Sequence, residues 1–592
     1  MILTALDWTV IAASALATLA VGLLFSRRGG RSVADYFASG RGLPWWLAGT
    51  SMVATSFAAD TPLWITGQVR GGGVQANWYW WSFLFGHVVA VFVFARLWRR
   101  AEVLTNVEIT EVRFSGRAAA ALRLFKSVYL ALPINLAVVV WCNVAMAMIL
   151  EATTGISKIE GILACLAISA AFCLFSGLWG VVATDLFQLA IAFGGAVALC
   201  AAAVHRAGGL DGVRVSLEAS GALDLAPTSP GPALNALIVF AGVLWWSSRN
   251  VDGGGALIQR MIACKGEKDA VKATMLFTVL HYAGRTWPWV LAGLASLILF
   301  PKAGGVAPGA PELAPYADAV KARGEFAYPA MVSLLPAGLR GLLVASLFAA
   351  YASTVNTFMN LSAAYILNDV YRRFVRREAP ERHYVRVSRV LFAVFMAIAA
   401  AVTLLVDTVD QVFSFSLAFA SGVGIVYVGR WCWWRVNAFS EIAAMVTSGA
   451  VAIYLTRAGA AWPGVLDPAP FRILVTAAAS AAVALPVTLL TRPTDRARLI
   501  DFYVKVHPPG FWGPIRAEAA RFDPRPPPRA HLSTLLAIAG SSALILGVTL
   551  GLGKLLLFGA RASIPFAVLA AAGAGLLALA MRRGAAAGGL FR

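Results

Sequence analysis

Apolar runs of about 20 residues, separated by short polar segments, recur from one end of the chain to the other. Twenty helical residues rising 1.5 Å each cross a hydrocarbon core about 30 Å thick, so each run predicts a membrane-spanning helix. Fifteen such runs can be placed, the first at 5–25 and the last at 563–581. Two of them are interrupted. The second, TSMVATSFAADTPLWITGQVRGGG, carries Asp60-Thr61-Pro62 at its centre and Gly71-Gly72-Gly73 after it. The seventh, VLWWSSRNVDGGGALIQRMI, carries a polar stretch from Ser247 to Asp252, then Gly253-Gly254-Gly255. Proline and polar residues at mid-membrane free backbone groups that ions, waters or neighbours must satisfy. Broken helices five spans apart, entering from opposite sides, are the pattern of an inverted five-plus-five repeat.

The ninth run, LLVASLFAAYASTVNTFMNLSAAYILNDVY, is apolar enough to span yet holds Ser353 and Thr354. A helix places residues i, i+3 and i+4 on one face, so the Ala350 carbonyl and both hydroxyls point the same way. Neutral oxygens without a carboxylate form a weak, hard cage, suited to a monovalent cation that must also leave. The alternative is that the hydroxyls bond back to their own helix.

Composition agrees with a polytopic, all-helical membrane protein: 59% of residues are hydrophobic, 13% are charged and the mean hydropathy is +0.74. The six cysteines show no CxxC or disulfide-like pairing and read as small packing residues. A net charge of +20 would suit nucleic acid, but most of the 49 lysines and arginines fall in alternate loops. That asymmetry is the positive-inside rule, so the charge reports topology and a nucleic-acid partner is excluded. It predicts an outside N-terminus, which begins with a retained helix instead of a cleaved signal, and a cytoplasmic C-terminus with Arg582, Arg583 and Arg592. No HExxH, GxSxG, paired-acid or metal cluster appears at a suitable depth, which argues against an enzyme.

Several stretches are similar to the sodium/solute symporter family, which includes sodium/glucose cotransporters and the bacterial proline permease. DYFASGRGLPWW (35–46) resembles the loop before that family's first core helix. FSGLWGVVATDLFQL (175–189) resembles its Gly-Gly-Leu signature followed by Thr-Asp-x-x-Gln, with Ser176 in place of the first glycine. IQRMIACK (258–265) resembles the Gln-Arg ending of the sixth core helix, and STVNTFMNLSAAYILNDVY (353–371) the eighth. The resemblance implies a leucine-transporter-type fold working by alternating access. One extra N-terminal helix (1–30) would precede a ten-helix core at 44–434, with repeats at about 44–204 and 235–434. About four extra helices would follow at 435–592, with a Pro/Arg-rich cytoplasmic loop at 492–531. It also implies a sodium (Na+) site built from Ala54, Phe57, Ala350, Ser353 and Thr354, and a sodium path through Asp185.

The solute should lie between the two breaks. Candidates are Asp60, Trp64, Asn77, Trp81, Asn250, Asp252, Arg285 and Ser414, with Trp80 and Arg249 beside them. The Trp78–Trp81 cluster reads equally as an interfacial aromatic belt, and Arg249 and Asp252 could neutralise each other. An intramembrane arginine suggests two-pronged capture of a carboxylate by Arg285, with an Arg285–Asp252 pair as the rival. In the family's sugar carriers a lysine sits near Arg285 and an asparagine aligns with Gly254, so both positions depart from a sugar site. The expected activity is sodium-coupled symport of a small carboxylate-bearing solute, in the multi-pass setting of a bacterial inner membrane. Alternatives are a sugar or polyol symporter and a proton-coupled carrier of the same fold. The partners implied are sodium, the solute and the lipid bilayer, with homo-oligomerisation left open.

Overall fold

The computed structural model describes residues 2–26, 41–103, 105–173, 178–523 and 532–586. Residues 35–40, 174–177 and 524–531, which hold the first half of the DYFASGRGLPWW stretch, Ser176 and the Pro-rich part of the 492–531 loop, lie outside the described residues, as does Arg592.

The major helices are α1 (Ala5–Ser26), α2 (Trp45–Thr55), α3 (Asp60–Gly72), α4 (Val74–Ala101), α5 (Gly116–Thr154), α6 (Lys158–Cys173), α7 (Leu178–Arg206), α8 (Pro232–Ser247), α9 (Gly255–Ala263), α10 (Glu267–Val279) and α11 (Thr286–Leu299). They continue with α12 (Leu339–Val375), α13 (Glu381–Leu404), α14 (Val409–Phe419), α15 (Gly424–Cys432), α16 (Ala438–Arg457), α17 (Pro468–Leu490), α18 (Leu532–Phe558) and α19 (Ala560–Ala586). Among the described residues nine helices are long and apolar enough to span unbroken, or ten if α14 and α15, bent by 43°, count as one. The fifteen expected runs exceed that number because α2–α3, α8–α9 and α10–α11 are each one run divided in two, and because the described apolar stretches of α1 and α6 are shorter than a span. Apolar side chains such as Ile564, Val568 and Leu569 on α19 face outward, as a lipid-facing surface requires.

Both predicted interruptions are present, with an altered position in the first. The break lies at residues 56–59, ahead of Asp60-Thr61-Pro62, which instead open α3. Proline is tolerated in a first helical turn because its missing N–H has no intrahelical partner there. In the second, Gly253 (φ 122°) and Gly254 (φ 71°) adopt conformations that a side chain disfavours, and α9 restarts at Gly255. The tip of α15 presses on this broken region: a Cβ on Gly424 would lie 2.1 Å from the Trp246 carbonyl oxygen.

The helix carrying Ala350, Ser353 and Thr354 is held at its start by α1. Asp7, fully buried, accepts hydrogen bonds from the backbone N–H groups of Gly338 and Gly341, each at 2.8 Å, and pairs with Arg340 at 2.9 Å. A negative charge at a helix N-terminus also opposes the helix dipole favourably. Charge-assisted hydrogen bonds contribute about 1.5–3 kcal/mol each. Asp7→Ala is therefore expected to lower the melting temperature of the purified protein by several degrees; an unchanged melting curve would show that α1 does not brace α12.

Candidate functional site

A cavity of about 270 Å³ lies between the two broken helices. It is larger than the roughly 150 Å³ space that takes up a benzene molecule, so a solute of monosaccharide size or smaller fits. Thr55, Ser56, Asp60 and Trp64 border it from the first broken helix, Arg249, Asn250 and Asp252 from the second, and Thr354 from α12. The cavity thus gathers Asp60, Trp64, Asn250 and Asp252 from the solute candidates.

Four other candidates lie elsewhere. Asn77 is fully buried, donates to the Val74 carbonyl and accepts from the Trp80 indole at 3.0 Å, so it serves the turn that starts α4. Trp81 is 1% exposed and packs in the protein interior. With Tyr79 and Trp80 also buried, most of this aromatic cluster is core packing and not an interfacial belt. Ser414 meets the Tyr79 hydroxyl at 3.2 Å and borders a separate cavity with Gln68 and Asp410. Between the two cavities stands a wall of rings: Trp64 lies 4.5 Å from Phe413, and Tyr79 stacks on Phe240 at 4.6 Å. Asp410 fixes that wall by accepting from the Trp64 indole at 2.9 Å and the Gln68 amide at 2.8 Å.

Arg285 is the largest correction. It does not border the cavity and forms no ion pair among the described residues, although Asp60 lies close enough to feel its charge. Its guanidinium donates to the carbonyls of Val53 (3.0 Å) and Ser56 (2.8 Å), the last groups of α2 before the break. It also meets the Ser56 hydroxyl and the ring of His281, one turn earlier, whose Nδ1 therefore accepts. The rings of Phe57 and Trp289 lie against it, and they stack on each other at 5.4 Å. Carbonyls at a helix C-terminus need donors and favour a cation, so Arg285 supplies the cap that the interrupted helix lacks. The Arg285–Asp252 pair is absent for the same reason. Asp252 bonds Arg430 instead, and accepts from the Trp431 indole at 3.2 Å, so it does not neutralise Arg249 either.

Of the residues expected around sodium, Ser353 and Thr354 lie on α12, which packs against α2 and α7. Asp185 of α7 is 1% exposed and bridges the other two helices: it accepts from Ser51 of α2 at 2.8 Å and from Ser353 of α12 at 3.1 Å. The Thr354 hydroxyl is buried with no hydrogen-bond partner. It has therefore not turned back onto its own helix. The Ala54 carbonyl accepts from the Phe57 N–H at 3.0 Å, which leaves its second lone pair. Arg260, the arginine of the Gln-Arg motif, completes the cluster by donating to Thr55 at 2.9 Å and to Ser51 at 3.4 Å. Ser51, Thr55 and Arg260 were not among the predicted site residues. Ser51 lies one helical turn from Ala54 and Thr55, a spacing that could have flagged it.

The sodium:solute symporter family model matches residues 36–447. The chain belongs to the sodium:solute symporter family. Among its relatives are the sodium/glucose cotransporter of Vibrio parahaemolyticus, 25% identical over 76% of this chain and 85% of that protein, and sodium/myo-inositol cotransporter 2 of Sus scrofa, 24% identical over 76% and 70%. Among solved structures, a substrate-bound outward-open Na+-coupled sialic acid symporter superposes with a TM-score of 0.65 at 19% identity, covering 83% of this chain and 99% of that one. That match gives the fold, the leucine-transporter type. This symporter is accordingly a multi-pass membrane transporter, not an enzyme, that couples a small solute to sodium.

Proposed function

We propose that sodium binds between the end of α2 and the middle of α12, at the carbonyls of Ala54, Phe57 and Ala350 and the hydroxyls of Ser353 and Thr354. The observation that carries this is the Asp185 bridge between Ser51 and Ser353, together with the unpartnered Thr354 hydroxyl. Asp185 lies beside the ion on its path towards the inner side and offers an attracting charge without belonging to the cage. The solute occupies the adjoining cavity, with Asp60, Trp64 and Asn250 on its walls. Because Thr55, Ser56 and Thr354 face that cavity, filling the ion site shapes the wall the solute meets, and coupling follows from shared residues. Arg285 sets the conformation of the α2 terminus and thereby the placement of the Ala54 and Phe57 carbonyls.

Residues 44–434 form the transport core, which alternates access across the membrane. The N-terminus is outside and the C-terminus cytoplasmic, in a bacterial inner membrane. The test is uptake of labelled small polar solutes into proteoliposomes. An inward sodium gradient should drive accumulation of at least one solute, and an equal potassium gradient should not. Accumulation driven by a proton gradient in sodium-free buffer would overturn the reading.

A further inference from the structure

The central cavity is lined by three cationic side chains, Lys126, Arg249 and Arg430, and two of them are paired. Lys126 donates to Glu441 at 3.0 Å, and Arg430 binds Asp252 with Glu441 3.6 Å away. Arg249, in the break of the second interrupted helix, forms no ion pair and no hydrogen bond with the described residues. Its ionisable neighbours are three tyrosines, Tyr129, Tyr365 and Tyr427, whose phenols carry no charge near neutral pH. The Tyr427 hydroxyl is itself buried without a partner. The first turn of α9, from Gly255 to Leu257, borders the same cavity, so the positive end of a helix dipole adds to the field.

A charge within the membrane is costly, and a cation there normally has a partner. Lys126, Arg430, Asp252 and Glu441 balance one another, and Asp60 lies in the field of Arg285, which leaves Arg249 as the cavity's unpaired cation among the described residues. We infer that Arg249 is the anion-recognising residue of the cavity and that the cargo carries a carboxylate. The guanidinium fork takes the two carboxylate oxygens, and a phenol such as Tyr427 can donate to one of them. The inference rests on the reading of this cavity as the solute site, and it returns the carboxylate expected at Arg285 to a different arginine.

The test uses the full-length protein in proteoliposomes under a sodium gradient, with solutes paired by size: glucuronate against glucose, and lactate against lactamide. At least one acid should be taken up with a KM tenfold or more below that of its neutral twin. Arg249→Gln should abolish that preference, and Arg249→Lys should restore part of it. Sodium-induced thermal stabilisation should be the same in all three proteins, which shows that the variants fold and bind the ion. Sodium-driven uptake of glucose in preference to glucuronate overturns the inference and leaves sodium symport standing. So does acid uptake that ignores Arg249→Gln. If chloride competes with the acid or is needed for uptake of a neutral solute, Arg249 serves an inorganic anion and the carboxylate assignment is wrong. A panel in which no acid is carried also overturns it, and loss of the sodium stabilisation would then remove the coupling reading as well.

Discussion

Replacing both Ser353 and Thr354 by alanine is expected to raise the sodium concentration for half-maximal uptake by about tenfold or more, while uptake at saturating sodium persists. Two of five proposed oxygens are lost, and tenfold corresponds to about 1.4 kcal/mol, a modest share of an ion's interaction with two hydroxyls. Thr354 should contribute more than Ser353. Its hydroxyl is free of other bonds, whereas that of Ser353 already donates to Asp185. Sodium titration of uptake in the single and double variants checks the order. A double variant with wild-type sodium dependence would remove the ion from α12.

Arg285→Lys should damage sodium binding more than solute choice. A lysine keeps the charge but cannot reach two carbonyls and a hydroxyl with a flat fork; Val53 still accepts from the Ser56 hydroxyl at 3.0 Å, so the Ser56 carbonyl is the one left without its donor. A buried carbonyl left without a donor costs about 1–3 kcal/mol. That cost falls on the α2 terminus, which holds the Ala54 and Phe57 carbonyls. Half-saturating sodium should rise by about tenfold, and the ratio of KM values between any two solutes should stay constant. A variant that loses discrimination between acids and neutral analogues at unchanged sodium dependence would return Arg285 to the solute.

The parts of this architecture that depend on local pattern were legible in the residues. Helical periodicity placed Ala350, Ser353 and Thr354 on one face, and proline and glycine clusters announced both broken helices. The partners of the buried charges were not legible. Arg285 bonds backbone carbonyls, which leave no trace in residue identity. Asp252 finds Arg430, 178 residues away, and Trp64 finds Asp410 at a separation of 346. Local proximity favoured Arg249 as a partner of Asp252, and three-dimensional packing chose otherwise. The aromatic cluster after Gly73 was ambiguous for a related reason: composition cannot distinguish rings at a lipid interface from rings inside a helix bundle.

Sodium is proposed to sit where α2 ends, against α12. Equilibrium binding of radioactive sodium to the purified protein in lipid nanodiscs tests it most directly, because it needs no knowledge of the cargo. Binding should be saturable, undisplaced by potassium, weakened about tenfold or more in Ser353→Ala/Thr354→Ala and weakened likewise in Arg285→Lys. Identical sodium isotherms for the wild-type protein and the double variant would contradict this placement of the ion.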